Sequence, residues 1–318
     1  MIMDKIRLCI IVPCYNEQEV LPETVRRLGG FLSENGDLLS QESRILFVDD
    51  GSRDATWRMI GEAAAKDRRI EGVRLAHNRG HQNALWAGME SAAGRFDCAV
   101  TIDADLQDDV NAMRDFLEKF ASGADVVYGV RSSRKTDSFF KRFTAEAYYK
   151  FLNWLGAETV YNHADYRLLS NRALEALMEY GEVNLYLRGM VPLLGFKTDT
   201  VYYERSERFA GESKYPLKKM LALAMQGVTS FSVKPLRFIG LFGLALVFLS
   251  LLVGLILLFV PGSQIGFIGF SLWFCTGLIL SALGLAGEYV GTIYAEVKHR
   301  PRYAVMETVG QDGIKRPQ

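Results

Sequence analysis

What the chain lacks narrows it at once. From Phe238 to Gly287 there are 50 residues without one Asp, Glu, Lys or Arg. No water-soluble domain of ordinary size needs so long an uncharged run, so an entirely aqueous protein is excluded. The four cysteines, Cys9, Cys14, Cys98 and Cys275, form no CxxC pair and meet no histidine at zinc spacing. A disulfide framework is not supported, and a reducing compartment is expected. Neither sign of charge is in excess: 37 Lys and Arg balance 37 Asp and Glu in 318 residues. Bulk charge therefore argues against a nucleic-acid partner. A secretory signal is not expected either, because Asp4, Lys5 and Arg7 lead straight into a short apolar run closed by Pro13. With 49% hydrophobic and 23% charged residues the chain is not disordered.

What is present begins with alternation. Apolar runs at Leu8–Val12, Arg44–Val48, Ile70–Leu75, Cys98–Ile102 and Asp125–Tyr128 read as strands. Between them, Glu17–Phe31, Thr56–Ala65, Gln82–Ala93 and Met113–Phe120 read as helices. This is the signature of βαβ units and a mostly parallel sheet, whose ligands bind beyond the carboxyl ends of the strands. The polar clusters lie there, after Val12, Val48 and Ile102. Ser138–Leu187 reads as mainly helical, and Phe196–Glu204 as a further strand.

The C-terminal third belongs to a membrane. Leu217–Phe231 carries a one-faced apolar stripe with Lys218 and Lys219 on the polar side. Such a stripe suits either core packing or the bilayer interface, and the adjoining membrane segment favours the interface. Phe238–Val260 and Ile265–Gly287 are 23 residues each, enough to cross about 30 Å of hydrocarbon. Pro261–Gln264 turns between them without positive charge, whereas Lys234, Arg237, Lys298, Arg300 and Arg302 flank the pair. The positive-inside rule puts both flanks in the cytoplasm.

Several constellations carry chemistry. Asp103-Ala104-Asp105, with Gln107 and Asp108 nearby, offers oxygen ligands for a hard divalent cation that bridges a diphosphate. The same pattern also serves as a helix N-cap. Asp49-Asp50-Gly51-Ser52 could bind a base or simply turn the chain into the next helix. Pro13-Cys-Tyr-Asn-Glu17 shares that ambiguity. In Asn78-Arg79-Gly80-His81, the lone histidine reads as structural or solvated. Asp109 reads as a helix cap rather than a metal ligand.

Taken in order, Val12–Glu17, Val48–Thr56, Asn78–Gly80 and Asp103–Asp108 resemble the family-2 glycosyltransferases of the GT-A fold. Ala164–Ser170, Glu207–Tyr215, Gly287–Gly291 and Lys298–Arg302 resemble its polyprenyl-phosphate branch, with bactoprenol glucosyltransferases and dolichol-phosphate mannose synthases. The resemblance covers nearly the whole chain. It implies a GT-A, Rossmann-like mixed sheet with helices on both faces, followed by interface helices and a two-helix transmembrane hairpin. The implied divisions are a catalytic domain over 1–205, an acceptor loop and amphipathic helix over 206–237, spans over 238–287 and a cytoplasmic tail over 288–318.

By the same resemblance, Asp50 contacts uracil, and Pro13, Tyr15 and Glu17 line the nucleoside pocket. Asp103 and Asp105 hold the nucleotide and a Mg²⁺ or Mn²⁺ ion, supported by Gln107, and Arg131 lies near the phosphates. Arg208 and Lys214 face the lipid phosphate. Asp165, in Ala164-Asp-Tyr-Arg, matches the family's Gly-Asp-Phe-Arg segment, with Gly and Phe replaced. It is expected to orient a sugar hydroxyl or an acceptor-side Arg rather than take a proton.

The implied reaction is inverting transfer of glucose or N-acetylglucosamine from a UDP-sugar to undecaprenyl phosphate, at the cytoplasmic face of the cell membrane. The Tyr161–Asp165 run leans toward N-acetylglucosamine. Partners are the UDP-sugar, the lipid phosphate and the bilayer, with self-association left open. One rival is a processive polysaccharide synthase, which would carry a Gln-x-x-Arg-Trp segment and more spans, neither of which occurs here. The other is a non-catalytic membrane scaffold that keeps a sugar-nucleotide fold, against which the intact Asp103, Asp105 and Asp165 argue.

Overall fold

The computed structural model describes residues 5–132, 163–183, 185–204 and 264–310, with isolated positions between 236 and 252. The described residues fall into two units, one comprising those up to 204 together with 301–310, the other those from 236 to 300.

In the first unit the chain runs β1 (Leu8–Cys14), α1 (Leu21–Glu34), β2 (Arg44–Asp49), α2 (Thr56–Lys66), β3 (Ile70–Leu75), α3 (His81–Ala92), β4 (Cys98–Thr101) and α4 (Ala112–Ala121). It continues with β5 (Val126–Arg131), β6 (His163–Ser170), α5 (Asn171–Met178), α6 (Leu187–Leu193), β7 (Thr198–Tyr203) and β8 (Val305–Val309). One eight-stranded sheet results, in the order β7-β5-β6-β4-β1-β2-β3-β8. The β1–β2, β1–β4, β2–β3 and β5–β7 pairs are parallel, while β6 and β8 run antiparallel to their neighbours. This is the mixed, GT-A-like α/β sheet that the motifs led one to expect.

The alternation of elements follows from burial. Every residue of β1 is buried, as a central strand covered on both faces requires. The helix α1 turns Leu21, Leu28 and Phe31 onto the sheet and starts with Pro22 in its first turn, where a missing N–H costs nothing. It begins four residues later than expected, because Glu17–Val20 form a turn that the Glu17 carbonyl closes by accepting from Val20 N and Leu21 N. In α3, Gly88 lies so close to β1 that a Cβ there would come within 2.3 Å of Ile11 Cγ2. Gly88 thereby sets the depth at which the start of α3, His81 and Gln82, meets the sheet edge. An alanine would push the helix outward at a cost of about 1–3 kcal/mol.

Two findings correct the sequence reading. The stretch expected to be mainly helical up to Leu187 contains β6, which threads antiparallel between β4 and β5. The segment expected to be a tail contains β8, which pairs with the outer edge of β3.

In the second unit the described helix is α7 (Gln264–Val297), 34 residues long. At 1.5 Å per residue it measures about 51 Å, well beyond the roughly 30 Å of a hydrocarbon core. It continues ten residues past Gly287, the expected end of the second span. Its Phe274–Val297 stretch is long and apolar enough to cross a membrane, and its apolar window is not buried, although Tyr289 within the stretch is. Among the described residues it is the one helix of that kind, so the expected two-helix hairpin reduces to a single observed member. The first expected span, the Leu217–Phe231 helix, Arg208 and Lys214 lie outside the described residues or almost wholly so.

Candidate active site

The carboxyl ends of β1, β2 and β4 carry three loops, and the first two are lashed together by their own motif residues. Asn16 N donates to Ser52 Oγ (2.9 Å), Arg53 N to Asn16 Oδ1 (2.9 Å) and Glu17 N to Thr56 Oγ1 (2.9 Å). Asn16 holds a positive φ of 53°, which an Asn tolerates well. Pro13 lies inside β1 in register with Val48 and is buried, so it builds the strand that carries the pocket.

Asp50 is buried, and its two oxygens accept from the backbone N–H groups of Arg79 (2.7 Å) and Gly80 (2.8 Å). It therefore fixes the loop between β3 and α3. Burial outweighs those bonds and raises its pKa. Asp49 accepts from Ser52 N at 3.1 Å and faces the Arg74 guanidinium at 3.4 Å. Beside these loops lies a cavity of about 360 Å³, lined among others by Tyr15, Ser52, Arg53, His77 and Asn78. Asp50 is not part of its lining.

The β4 loop is acidic and tightly turned. Leu106 is buried with φ 57°, a left-handed conformation that costs a branched residue about 1–2 kcal/mol. Asp105 accepts from Gln107 N at 3.2 Å. Asp108 is buried, accepts from Tyr203 Oη at 2.6 Å and lies 3.5 Å from Arg131. Arg131 thus comes from the end of β5 and Tyr203 from the end of β7 to meet the β4 loop. Burial, with the neighbouring carboxylates Asp108, Asp165 and Asp105, pushes Asp103 up to about 6 despite the facing His81.

Asp165 on β6 is the opposite case. Its carboxylate is gripped by Arg167 at 2.6 Å and by Arg188, from the start of α6, at 3.1 and 3.2 Å. Gln82 donates to it at 3.5 Å while its side-chain oxygen accepts from Leu187 N at 3.1 Å. The Asp165 backbone carbonyl accepts from the Thr101 hydroxyl. Burial alone would raise this carboxylate, but Arg188, His81 and Arg167 outweigh it and hold it well below the usual range. His81 Nε2 sits between the two acids, 3.6 Å from Asp103 and 3.5 Å from Asp165. Burial would lower the pKa of His81, yet those carboxylates raise it overall. The lone histidine read as structural or solvated thus joins the two centres. Arg188 and Gln82 escaped the sequence reading, since a single Arg in Leu187-Arg-Gly-Met carries no signal.

No three His, Cys, Asp or Glu side chains among the described residues converge as a metal cage would. The oxygen chemistry still fits a divalent cation. Mg²⁺ ordinarily takes one or two carboxylates and completes its shell with substrate phosphates and water. The raised pKa of Asp103 marks a place where added positive charge would be favourable.

Residues 9–178 match the family described as glycosyl transferase family 2, a stretch that takes in all of these loops from β1 to α5. The chain belongs to that family. As a family-2 glycosyltransferase it is an enzyme, and its likeness to relatives runs far past residue 178. The uncharacterised glycosyltransferase YkoT of Bacillus subtilis (strain 168) is 50% identical over 94% of this chain and 90% of its own length. The bactoprenol glucosyl transferase of Shigella phage SfV is 37% identical over 94% of this chain and 98% of its own. A prophage bactoprenol glucosyl transferase homolog of Escherichia coli (strain K12) is 36% identical over the same shares. Among solved structures, the mannosyltransferase PcManGT of Pyrobaculum calidifontis, in complex with GDP-Man and Mn2+, matches 93% of this chain and 88% of its own at TM-score 0.45 and 16% identity.

Proposed function

We propose that this glycosyltransferase moves a hexose, glucose or N-acetylglucosamine, from a UDP-sugar to undecaprenyl phosphate at the cytoplasmic face of the membrane, with inversion. The observation that carries the reading is the near-full-length likeness to bactoprenol glucosyl transferases, which extends beyond the family-2 region into the apolar C-terminal segment. The helix α7, whose apolar window is not buried, supports a membrane anchor. In this reading Phe238–Val260 supplies the first span, ahead of α7.

The donor would lie along the sheet edge, its nucleoside toward Tyr15 and the β2 and β3 loops and its diphosphate toward Asp103 and Asp105. A Mg²⁺ or Mn²⁺ ion held by those carboxylates and the phosphates would offset charge on the departing UDP. Arg131 and Gln107 serve the same end of the donor. Arg208 and Lys214 take the acceptor phosphate. That phosphate is already mostly ionised at neutral pH, since its second pKa lies near 6, so it needs aiming more than deprotonation. The low pKa of Asp165 makes it a weak base and favours the role of orienting a sugar hydroxyl or Arg188.

The deciding assay combines purified full-length protein, Mg²⁺ or Mn²⁺, labelled UDP-sugars and undecaprenyl phosphate. A labelled, chloroform-soluble lipid that vanishes with chelator is the expected product, and its sugar settles specificity. A water-soluble polymer, or no transfer from any UDP-sugar, would overturn the reading.

A further inference from the structure

The strand β8 follows the membrane helix in the chain, yet it completes the catalytic sheet. Its ladder with β3 pairs Gly72 with Val309, Val73 with Thr308 and Arg74 with Glu307, and then jumps to Leu75 with Val305. Ala76 N donates to Ala304 O at 2.8 Å, so pairing resumes beyond the jump. The skipped residue is Met306. A bulge leaves one residue out of the ladder and re-aims its side chain, and bulges collect beside functional sites for that reason. Met306 is 59% exposed, and it lines the same cavity as Tyr15, Ser52, Arg53 and Asn78. A thioether on an unbranched chain is suited to packing against an aromatic ring.

The neighbours of the bulge are held firmly. Glu307 accepts from Trp57 Nε1 at 2.6 Å and lies 3.6 Å from Arg74, which also faces Asp49. Arg74, another cavity residue, therefore has its charge balanced by two carboxylates and is a poor diphosphate clamp. The other cation of the lining is Arg53, while Tyr15 and Met306 suit the cavity to a planar ring. Its distance from the acidic loop agrees: it lies between the ends of β2 and β3, two to three strand spacings from β4, or roughly 10–15 Å. The order along the sheet edge is thus diphosphate at β4 and base at β2, β3 and β8.

We propose that β8 forms a wall of the donor-nucleotide cavity, with Met306 packing against the base as a positioning residue for the donor. The inference rests on the UDP-sugar reading above. It makes donor affinity depend on a segment that lies beyond the membrane helix and outside the family-2 region.

The test is UDP binding by calorimetry on full-length protein in detergent with Mg²⁺, together with transfer kinetics. Met306→Ala should weaken UDP about three- to tenfold, raise the UDP-sugar KM by a similar factor, and leave kcat and the acceptor KM within about twofold. Met306→Leu should restore most of the affinity. A second variant leaves the cavity side chains untouched. Gly310 has φ 82°, and a Cβ there would sit 2.3 Å from Ile70 O, so Gly310→Val should loosen the end of β8, visible as faster amide exchange at 305–309. It should weaken UDP as well. Unchanged UDP affinity in Met306→Ala, with amide protection of β8 retained, would overturn the proposal. If the wild type itself bound no UDP, the donor reading would fall instead, and the two failures are distinct.

Discussion

Two acids on neighbouring strands, half-buried Asp103 after β4 and buried Asp165 on β6, are the same residue type under opposite constraints. Asp103 stands among other carboxylates with one histidine for relief, and its pKa rises to about 6. Asp165 stands between two guanidiniums and falls well below the usual range. Burial pushes both the same way, so the partners decide the sign. The first centre has a deficit of positive charge that an incoming cation can fill. The second is already neutralised by its own protein and serves as a fixed anchor. His81 couples them through contacts of 3.6 and 3.5 Å.

This contrast can be broken at several points. Asp105→Asn should cut transfer by about 10³-fold or more with circular dichroism unchanged, because it removes a ligand charge from the centre that needs one. Next, Asp165→Asn should lower kcat about 10²-fold while UDP affinity stays within about twofold. Equal loss of UDP binding in both variants would merge the two centres into one. Arg188→Ala should lower kcat by about tenfold, with Arg188→Lys recovering only part, since an ammonium lacks the two-pronged grip. Full recovery by lysine would reduce the role of Arg188 to charge alone.

The smallest effect is on stability. The folded-state pKa of Asp103 is raised, so its contribution is present at pH 4 and is lost as pH climbs to about 6. In metal-free protein, Asp103→Asn should therefore melt about 1–3 °C higher than wild type above pH 6, and the gap should close near pH 4. The side chain is 37% exposed, and screening by water keeps the shift small. A gap that widened toward pH 4 would mean the sign is wrong.

The βα alternation was legible because strands β1 to β5 are apolar runs that end in polar loops, and their observed limits differ from the expected ones by few residues. The strand β6 was hidden because Asp165 and Arg167 interrupt its apolar pattern. They neutralise each other two residues apart on one face, so a buried strand lacks an unbroken apolar run and was read as part of a helical stretch. The Asp103-Ala-Asp105 motif was readable from type and spacing. The cage around Asp165 was not, because Arg188, Gln82 and His81 come from separate elements and none forms a motif with it. Asp50 stood out by type and place, but the bonds its carboxylate accepts from the amides of Arg79 and Gly80 were not legible, because those donors belong to a loop 29 and 30 residues further on.

The position of β8 in the chain has a consequence for synthesis. Trp57 and Glu307, hydrogen-bonded across the edge of the sheet, are separated by 250 residues. Seven strands emerge from the ribosome before the hydrophobic segments, and the eighth only after them. Until then the nascent domain exposes the outer edge of β3, a row of unpaired backbone groups able to recruit a foreign strand. Arg74, on that edge strand, offers a charge against such pairing while Glu307 is still missing. Synthesis of the apolar helix must therefore precede closure of the sheet, so a chain stalled within that helix would carry an incomplete sheet.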